Sequence, residues 1–334
     1  MSGTTTVLVL LDRTEPAAGG GLRPAVLELL TLARQIGGPV HGVWVDGGAD
    51  ASGPDGATLA TLGRYGAQVV HVLRTGAADP RSTPVLGAAL AAAVEAVGAG
   101  TVLTVSGFEN KEAVARLAVA TGAGVVTDVS GAERDGEGRV VATKTVLAGT
   151  WTTRCVVLAP LAVLTVKAGA VIAVPVEAAA TPEVRTLDVE VPARALLVEV
   201  VERVPQTPSD RPDLGSADTV VVGGRGTEGD FGPLEELADL LGAAVGATRV
   251  ATDEGWIARE AQIGQTGVTV TPRLYIGAGV SGAVHHRGGM QASGTIVAVN
   301  SDPESPIFEI ADYGIVGDLF TVLPALTAEL RRLV

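Results

Sequence analysis

The sequence predicts an α/β protein of two domains, each with a mainly parallel sheet flanked by helices, and with a doubly wound C-terminal domain. The 334 residues, 47% apolar and 18% charged, are enough for two globular cores. Valine-rich runs alternate with segments of helical period, which is typical of parallel sheets covered on both faces. A proline-rich stretch, Arg203–Asp218, separates the halves and predicts domains at 1–203 and 204–334.

The N-terminal domain begins with a regular alternation of strand and helix. Its apolar runs have the length of buried strands, and glycine ends several of the periodic segments, as it does at helix C-termini. Strands are predicted at 4–12, 39–46, 68–73 and 101–106, and helices at 21–35, 57–66, 84–98 and 109–122.

From residue 124 the pattern changes to short runs rich in valine and threonine. The apolar run 155–176 is interrupted by Pro160 and Lys167, so two buried strands joined by a turn explain it better than a membrane span. We expect hairpins or edge strands that continue the first domain, at 124–130, 139–147, 152–159, 163–166, 171–174 and 184–191.

The second domain restarts the strand–helix alternation. Pro233 suits the first turn of a helix, and Asp318 is placed to cap the last helix, which has two arginines near its C-terminal end. Strands are predicted at 219–222, 274–279 and 295–300, and helices at 231–247, 281–290 and 318–334.

Composition excludes several classes of function. The net charge of −13, without a basic cluster, opposes nucleic-acid binding. There is one cysteine, and the adjacent His285 and His286 would point about 100° apart on a helix, so no metal site is expected. The N-terminus lacks the basic segment of a signal peptide. Arginine (21) far exceeds lysine (3), which favours a bacterial cytoplasmic protein, with a processed mitochondrial form as the alternative.

The glycine-rich loop at 277–282 has two interpretations. Gly277, Gly279 and Gly282 form G-x-G-x-x-G at a strand-to-helix junction, where N–H groups bind phosphates. In a chain with 44 glycines, a plain tight turn explains the pattern equally well. The acidic residue that a dinucleotide site needs about 20 residues further on is replaced by Asn300.

Two further loops carry polar groups between glycines. In Gly223–Gly226, Arg225 could pair with a phosphate or be an ordinary surface arginine. Gln265 and Thr266 lie between glycines and suit the polar edge of a heterocycle, to which Thr248–Arg249 would add a hydroxyl and a positive charge.

Together these motifs resemble the alpha subunit of the electron-transfer flavoprotein family. The most specific are LYIGAGVSGAVHHRGGM and TIVAVNSDPESPIFEIADYGIVGDLF, with SDRPDL, GGRG, VGATR and IGQTG before them in the family's order. The resemblance is strong over 209–333 and weaker before, where GVVTDV and TVKAGA carry it. It implies a C-terminal FAD-binding domain and an N-terminal domain that supplies a heterodimer interface.

The resemblance also implies a set of cofactor-binding residues. Residues 279–284 would form the phosphate turn, and Arg249 and His286 would stabilise negative charge near N1 and the C2 carbonyl of reduced flavin, with Thr266 near N5. The full set is Arg225, Thr248, Arg249, Ile263, Gly264, Gln265, Thr266, Gly279, Val280, Ser281, Gly282, Ala283, Val284, His286, Asn300, Asp318 and Leu319. Of these, Asn300, Asp318 and Leu319 would hold the AMP half.

The implied function is that of an electron carrier without substrate turnover of its own, and hence without catalytic residues. Its FAD would accept electrons from flavin dehydrogenases, such as the acyl-CoA dehydrogenases of fatty acid β-oxidation. It would pass them to a quinone oxidoreductase of the respiratory chain. The implied partner is a homologous beta subunit; whether that subunit holds AMP or a second flavin stays open.

Two other classes of function compete with this one. An NAD-dependent oxidoreductase with a doubly wound nucleotide-binding domain would explain the G-x-G-x-x-G, but neither GQTG nor ADYGIV. A nucleotide-binding regulatory or stress protein is suggested by the first domain alone, whose first strand is followed by no comparable phosphate loop.

Overall fold

The computed structural model describes residues 5–14, 21–47, 53–147, 150–202 and 211–333. The chain divides into two compact units, one of residues 1–144 and 153–208, the other of residues 145–152 and 209–334. Each unit has a parallel sheet with helices packed on it, which confirms the predicted α/β class. The predicted boundary between residues 203 and 204 lies outside the described residues.

Among the described residues, ten strands in two sheets precede the second domain, and all of them except residues 145–152 belong to the first unit. Seven parallel strands form the large sheet, and β1 is wholly buried because apolar clusters cover both faces. The strands are β1 (Val7–Leu10), β2 (Val40–Asp46), β3 (Val69–Arg74), β4 (Thr101–Val105), β5 (Gly124–Val129), β6 (Gly131–Arg134), β7 (Val140–Val146), β8 (Trp151–Val156), β9 (Ala162–Val166) and β10 (Glu183–Asp188). The large sheet has the order β10-β3-β2-β1-β4-β9-β5 and the small one β6-β7-β8.

Four helices of the first unit pack on the large sheet, close to their predicted positions. They are α1 (Ala25–Ile36), α2 (Gly56–Arg64), α3 (Thr83–Val97) and α4 (Phe108–Thr121). Gly98 and Gly122 end α3 and α4 with left-handed φ angles of 62° and 72°, a conformation that glycine adopts without steric cost. Asp55 begins α2 by accepting a hydrogen bond from the Thr58 N–H at 2.7 Å.

Most strands after residue 124 are hairpin or edge strands, as predicted. β6 and β7 pair antiparallel as a hairpin requires, and β5 and β10 are the two edge strands of the large sheet; only β9, which lies between β4 and β5, takes an interior position. No strand forms at 171–174, so the second of the two strands predicted in 155–176 is wrong. There the Val174 N–H donates to Thr31 Oγ1 of α1 at 3.0 Å instead of to a neighbouring strand.

The switch point of the large sheet lies between β1 and β4, where ligands bind in many open α/β sheets. Here two side chains bridge that position, because Asn110 Nδ2 donates to Asp12 Oδ2 at 2.6 Å and to the Val105 carbonyl at 3.0 Å. Burial raises the pKa of Asp12 to about 6, against the lowering effects of Asn110 and Arg23.

The second unit has one parallel sheet of five strands in the order β12-β11-β13-β14-β15. Apolar clusters cover both faces of this sheet. The strands are β11 (Thr219–Gly223), β12 (Ala244–Ala247), β13 (Leu274–Ala278), β14 (Thr295–Asn300) and β15 (Tyr313–Val316), and the helices are α5 (Gly232–Leu241), α6 (Arg249–Asp253), α7 (Val284–Met290) and α8 (Leu319–Leu333).

The helix predicted at 231–247 is too long. It ends at Gly242, which has a left-handed φ of 60°, and Ala244–Ala247 pairs with β11 as an additional strand. The small residues of this segment show neither a helical nor a strand periodicity. The elements α6 and β15 were not predicted because, with five and four residues, they are too short to show a periodicity.

A pH dependence of stability follows from Asp12. Because its pKa rises from 3.8 to about 6 on folding, stability from this group is full below pH 4 and is lost as the pH rises through 6. We expect Asp12→Asn to stabilise the chain at pH 7.5, by up to about 3 kcal/mol, and to have little effect at pH 4. Urea unfolding across this range measures the difference. Asp55→Asn, which keeps an N-cap at an exposed site, should give no gain at pH 7.5.

Candidate functional site

The carboxyl ends of β11–β15 meet at one edge of the second sheet. A cleft of about 480 Å³ opens there, lined by the loops that follow all five strands. This edge is where ligands of open parallel sheets bind. Of the residues in the full cofactor-binding set, all but Gln265 and Val284 line the cleft, and those two are chain neighbours of lining residues.

The loop after β13 presents unbonded backbone donors to the cleft. Among the described residues, no acceptor is hydrogen-bonded to the N–H groups of Val280, Ser281, Gly282 or Ala283. Gly282 has a left-handed φ of 76°, and a Cβ there would lie 2.5 Å from the Ile307 nitrogen. Because backbone N–H groups are nearly always paired, consecutive free donors beside a cleft favour an anion-binding turn over a plain tight turn.

This loop packs directly against the loop after β11. The Gly226 N–H donates to the Gly279 carbonyl at 3.0 Å, and a Cβ on Gly279 would lie 2.8 Å from Gly226 Cα. Gly279 also has a left-handed φ of 63°. Two backbones in contact leave no room for a side chain, so both glycines are required by packing. Arg225, next to Gly226, is exposed and lines the cleft.

Asn300, at the end of β14, holds the loop after β13 in place. Its Nδ2 donates to the Val280 carbonyl at 2.9 Å and to Ser305 Oγ at 3.1 Å, and its Oδ1 accepts the Asp302 N–H at 3.0 Å. Ser305 Oγ in turn donates to the Ser281 carbonyl at 3.2 Å. The Asn300 amide is thus bonded within the protein.

The loop after β15 also lines the cleft. Asp318 Oδ1 accepts the Phe320 N–H at 3.0 Å, so Asp318 caps α8 as predicted. Its neighbour Leu319 is buried, and Leu319 Cδ2 lies near Gly279, where an added Cβ would be only 2.9 Å away.

The loop 263–267 packs against α7 through glycine. Gly264 has a φ of 151°, and a Cβ on Gly289 of α7 would lie 2.5 Å from Gly264 Cα. Beside this contact, Gln262 Nε2 donates to Thr266 Oγ1 at 2.9 Å, while Thr252 donates to Gln262 Oε1 at 3.1 Å. Because the Thr266 hydroxyl accepts this bond, its own proton is free for an acceptor in the cleft.

His286 lines the cleft and has a protein partner at each ring nitrogen. Its Nδ1 lies 3.0 Å from the Ile263 carbonyl, which can only accept, so the proton is on Nδ1. Its Nε2 lies 2.7 Å from the Tyr275 hydroxyl, and burial lowers the pKa of His286 to about 4. The imidazole is therefore neutral.

Arg249 and His285 are exposed polar side chains that line the cleft. Arg249, the first residue of α6, is paired with Asp253 at 3.0 Å, and its side chain is 66% exposed. Thr248, which precedes Arg249 in the chain, donates its backbone N–H to the Gly223 carbonyl. His285 Nδ1 lies 3.1 Å from Gln265 Oε1. Arg249 thus supplies a permanent positive charge that solvent screens in part.

Sequence reasoning missed part of the cleft lining. These residues flank predicted ones in the chain, so a wider window around each motif would have found most of them. Gln262 directly precedes the IGQTG motif and Ser305 lies inside DPESPIF, and the structure buries both polar side chains. The missed residues are Gly226, Val250, Gln262, His285, Val299, Ser301, Asp302, Ser305 and Gly317.

Comparison with known proteins supports a flavin site. Residues 12–192 match the family profile "Electron transfer flavoprotein domain", and residues 213–291 match "Electron transfer flavoprotein FAD-binding domain". The chain is 44% identical over 324 residues, 96% of both chains, to the electron transfer flavoprotein subunit alpha of Mycobacterium leprae. It is 35% identical to that of Syntrophomonas wolfei, over 94% of this chain and 96% of the relative. The chain belongs to the electron transfer flavoprotein family.

Membership fixes the cofactor class of the cleft. The profile that spans the loops after β11, β12 and β13 is that of an FAD-binding domain, so the cofactor is FAD. The free N–H groups of the loop after β13 fit its pyrophosphate. The NAD-dependent oxidoreductase is not supported by either profile. Within the described residues, no helix combines the length and apolarity that crossing a membrane requires, and no group of histidine, cysteine and acidic side chains could hold a metal.

The contact between Gly226 and Gly279 predicts a selective loss of FAD. Gly279→Ala should cost about 1–2 kcal/mol of stability for the left-handed φ and should lower FAD affinity at least about tenfold, because the new Cβ separates the two loops. FAD titration by flavin fluorescence measures the affinity. Gly255→Ala is the matched control, since Gly255 has a φ of 73° with nothing within 4 Å of an added Cβ. Equal FAD affinity in the two variants would contradict the packing argument.

Proposed function

We propose that FAD lies in this cleft with its pyrophosphate on the loop 280–283 and its flavin ring beside the loop 263–266. The proposal rests mainly on one observation: the four consecutive backbone N–H groups of residues 280–283 have no hydrogen-bond acceptor among the described residues. Residues 279–284 would form the phosphate turn, with Arg225 nearby. Asn300, Asp318 and Leu319 would shape the AMP end, Asn300 by holding the loop.

Thr248, Arg249 and the loop 263–266 would surround the ring, with His286 at its edge. Bound FAD supplies the acceptance and release of electrons. Arg249 would hold a positive charge near the ring and stabilise the negative charge of reduction. Thr266, whose hydroxyl proton is free, would donate a hydrogen bond to a ring acceptor. Gln262 fixes the orientation of that hydroxyl.

We further propose that the chain is an electron carrier without substrate turnover, paired with an electron-transfer flavoprotein beta subunit through the N-terminal unit. The name "subunit alpha" of its relatives supports a second kind of subunit. The proposed donors are flavin dehydrogenases such as acyl-CoA dehydrogenases, and the proposed acceptor is a quinone oxidoreductase. We propose a bacterial cytoplasmic location because the relatives matched over most of their length are bacterial.

Co-expression with a beta subunit tests the function as a whole. We expect a yellow heterodimer that contains FAD, accepts electrons from a reduced acyl-CoA dehydrogenase and passes them to a quinone oxidoreductase. A heterodimer that is colourless and cannot be reconstituted with added FAD would contradict the cofactor site. A flavin-loaded heterodimer that turns over a substrate by itself would contradict the carrier role.

The charge of Arg249 predicts a shift in redox potential. Arg249→Ala should lower the potential of the first electron by tens of millivolts, on the order of 1 kcal/mol, because the reduced ring loses a nearby cation. The difference should shrink in high salt, since the side chain is 66% exposed. Spectroelectrochemical titration measures it. Arg259→Ala, an exposed arginine outside the cleft lining, is the control and should leave the potential unchanged.

A further inference from the structure

Tyr275 and His286 form a buried pair behind the wall of the cleft. Tyr275 lies on β13 with no exposed surface, and His286 on α7 is 5% exposed. Their hydroxyl and Nε2 are 2.7 Å apart, while Nδ1 is bonded to the Ile263 carbonyl on the other side of the ring. Both imidazole nitrogens are thus held by protein groups on two different elements.

The directions of these bonds follow from chemistry. The carbonyl can only accept, so Nδ1 carries the proton, and Nε2 of a neutral ring must then accept from the hydroxyl. Burial raises the pKa of Tyr275, so the hydroxyl keeps its proton.

The first glycine of the G-x-G-x-x-G pattern gives Tyr275 its room. Gly277 lies two residues along β13, on the same face, and a Cβ there would be 2.8 Å from Tyr275 Cε1 and 3.1 Å from its hydroxyl oxygen. Gly277 is therefore required to leave space for the tyrosine ring, whereas Gly279 and Gly282 are required for the conformation and packing of the loop. The three glycines of the G-x-G-x-x-G pattern thus have two different structural causes.

We propose that Tyr275 is a positioning residue of the FAD cleft: its hydroxyl donates to Nε2 of His286 while the Ile263 carbonyl holds the ring proton on Nδ1, so that the imidazole offers no N–H to the cofactor. The part of this inference that concerns FAD rests on the proposed function. If the proposal holds, the part of the cleft lining formed by His286 stays uncharged. The positive charge near the flavin ring then comes from Arg249.

No charged neighbour competes for His286 among the described groups packed around it. On its own helix, His285 faces Gln265, and Arg287 pairs with Glu309 at 2.9 Å. Across the cleft, Arg249 pairs with Asp253. The tyrosine hydroxyl is the titratable group that contacts the imidazole.

Nitrogen-15 NMR of the full chain with labelled histidine tests the proposal directly. The chain has four histidines, and the His286→Gln spectrum assigns the signals of His286. We expect the wild-type ring to show the neutral form protonated on Nδ1 from pH 5.5 to 8. A wild-type ring that is charged at pH 6, or protonated on Nε2, would overturn the proposal whatever the variants do.

Tyr275→Phe keeps the aromatic ring and removes the donor. Because Nε2 regains a free lone pair, we expect protonation of His286 to begin at least about one pH unit higher, while the neutral ring keeps its proton on Nδ1 against the Ile263 carbonyl. Tyr313→Phe, at a tyrosine that is 67% exposed in the same unit, is the control and should match wild type. An unchanged titration of His286 in Tyr275→Phe would show that the hydroxyl does not act on the ring.

FAD affinity measured in a His285→Gln background, which removes the other cleft histidine, supplies the second readout. Adding Tyr275→Phe should make affinity rise at least about threefold from pH 7.5 to 5.5, as His286 gains charge beside an anionic ligand. An equally flat profile with and without Tyr275→Phe would refute the role toward the cofactor. Absence of FAD binding in every chain, with the NMR result as expected, would instead contradict the proposed function and leave the tautomer assignment standing.

Discussion

The cofactor cleft depends on two places where backbone touches backbone with no side chain between. Gly226 meets Gly279, which joins the loops after β11 and β13, and Gly264 meets Gly289, which joins the loop 263–267 to α7. Each contact fixes the distance between two walls at the closest approach that a polypeptide allows. The positions of the polar groups in the cleft follow from these distances, so glycine sets the geometry and other residues supply the chemistry.

Most polar groups around the cleft are already bonded to the protein. The Asn300 amide, both His286 nitrogens and the Gln262 side chain have partners inside the fold. A ligand in the cleft meets a row of backbone N–H groups, several hydroxyls including that of Thr266, two arginine side chains, and the carboxylates of Asp302 and Asp318. The N–H groups and the arginines supply donors and positive charge, which suits an anionic cofactor whose ring gains negative charge on reduction.

The sequence predicted the elements with a clear period well and the others poorly. Long helices such as α3 and α8 and buried valine strands agree within a few residues, because burial on one or both faces determines their pattern. The strand at Ala244–Ala247 and the interior position of β9 depend on long-range pairing that no local signal records. For the site, motifs located nearly all the lining residues, but the tautomer of His286 depends on Tyr275 and Ile263, which no motif pairs with it.

The two parallel sheets differ in the side chains that follow their strands. In the first unit, bonded side chains lie at the carboxyl ends of strands: Asp12 bonds Asn110 between β1 and β4, and Asp128, near the end of the edge strand β5, accepts from Lys111 at 2.7 Å and from Ser106 at 2.5 Å. These groups satisfy one another. In the second unit, the equivalent edge carries glycines, whose backbone cannot satisfy itself in so tight a turn. The difference between a filled edge and a cofactor cleft is thus the presence or absence of side chains a few residues after each strand.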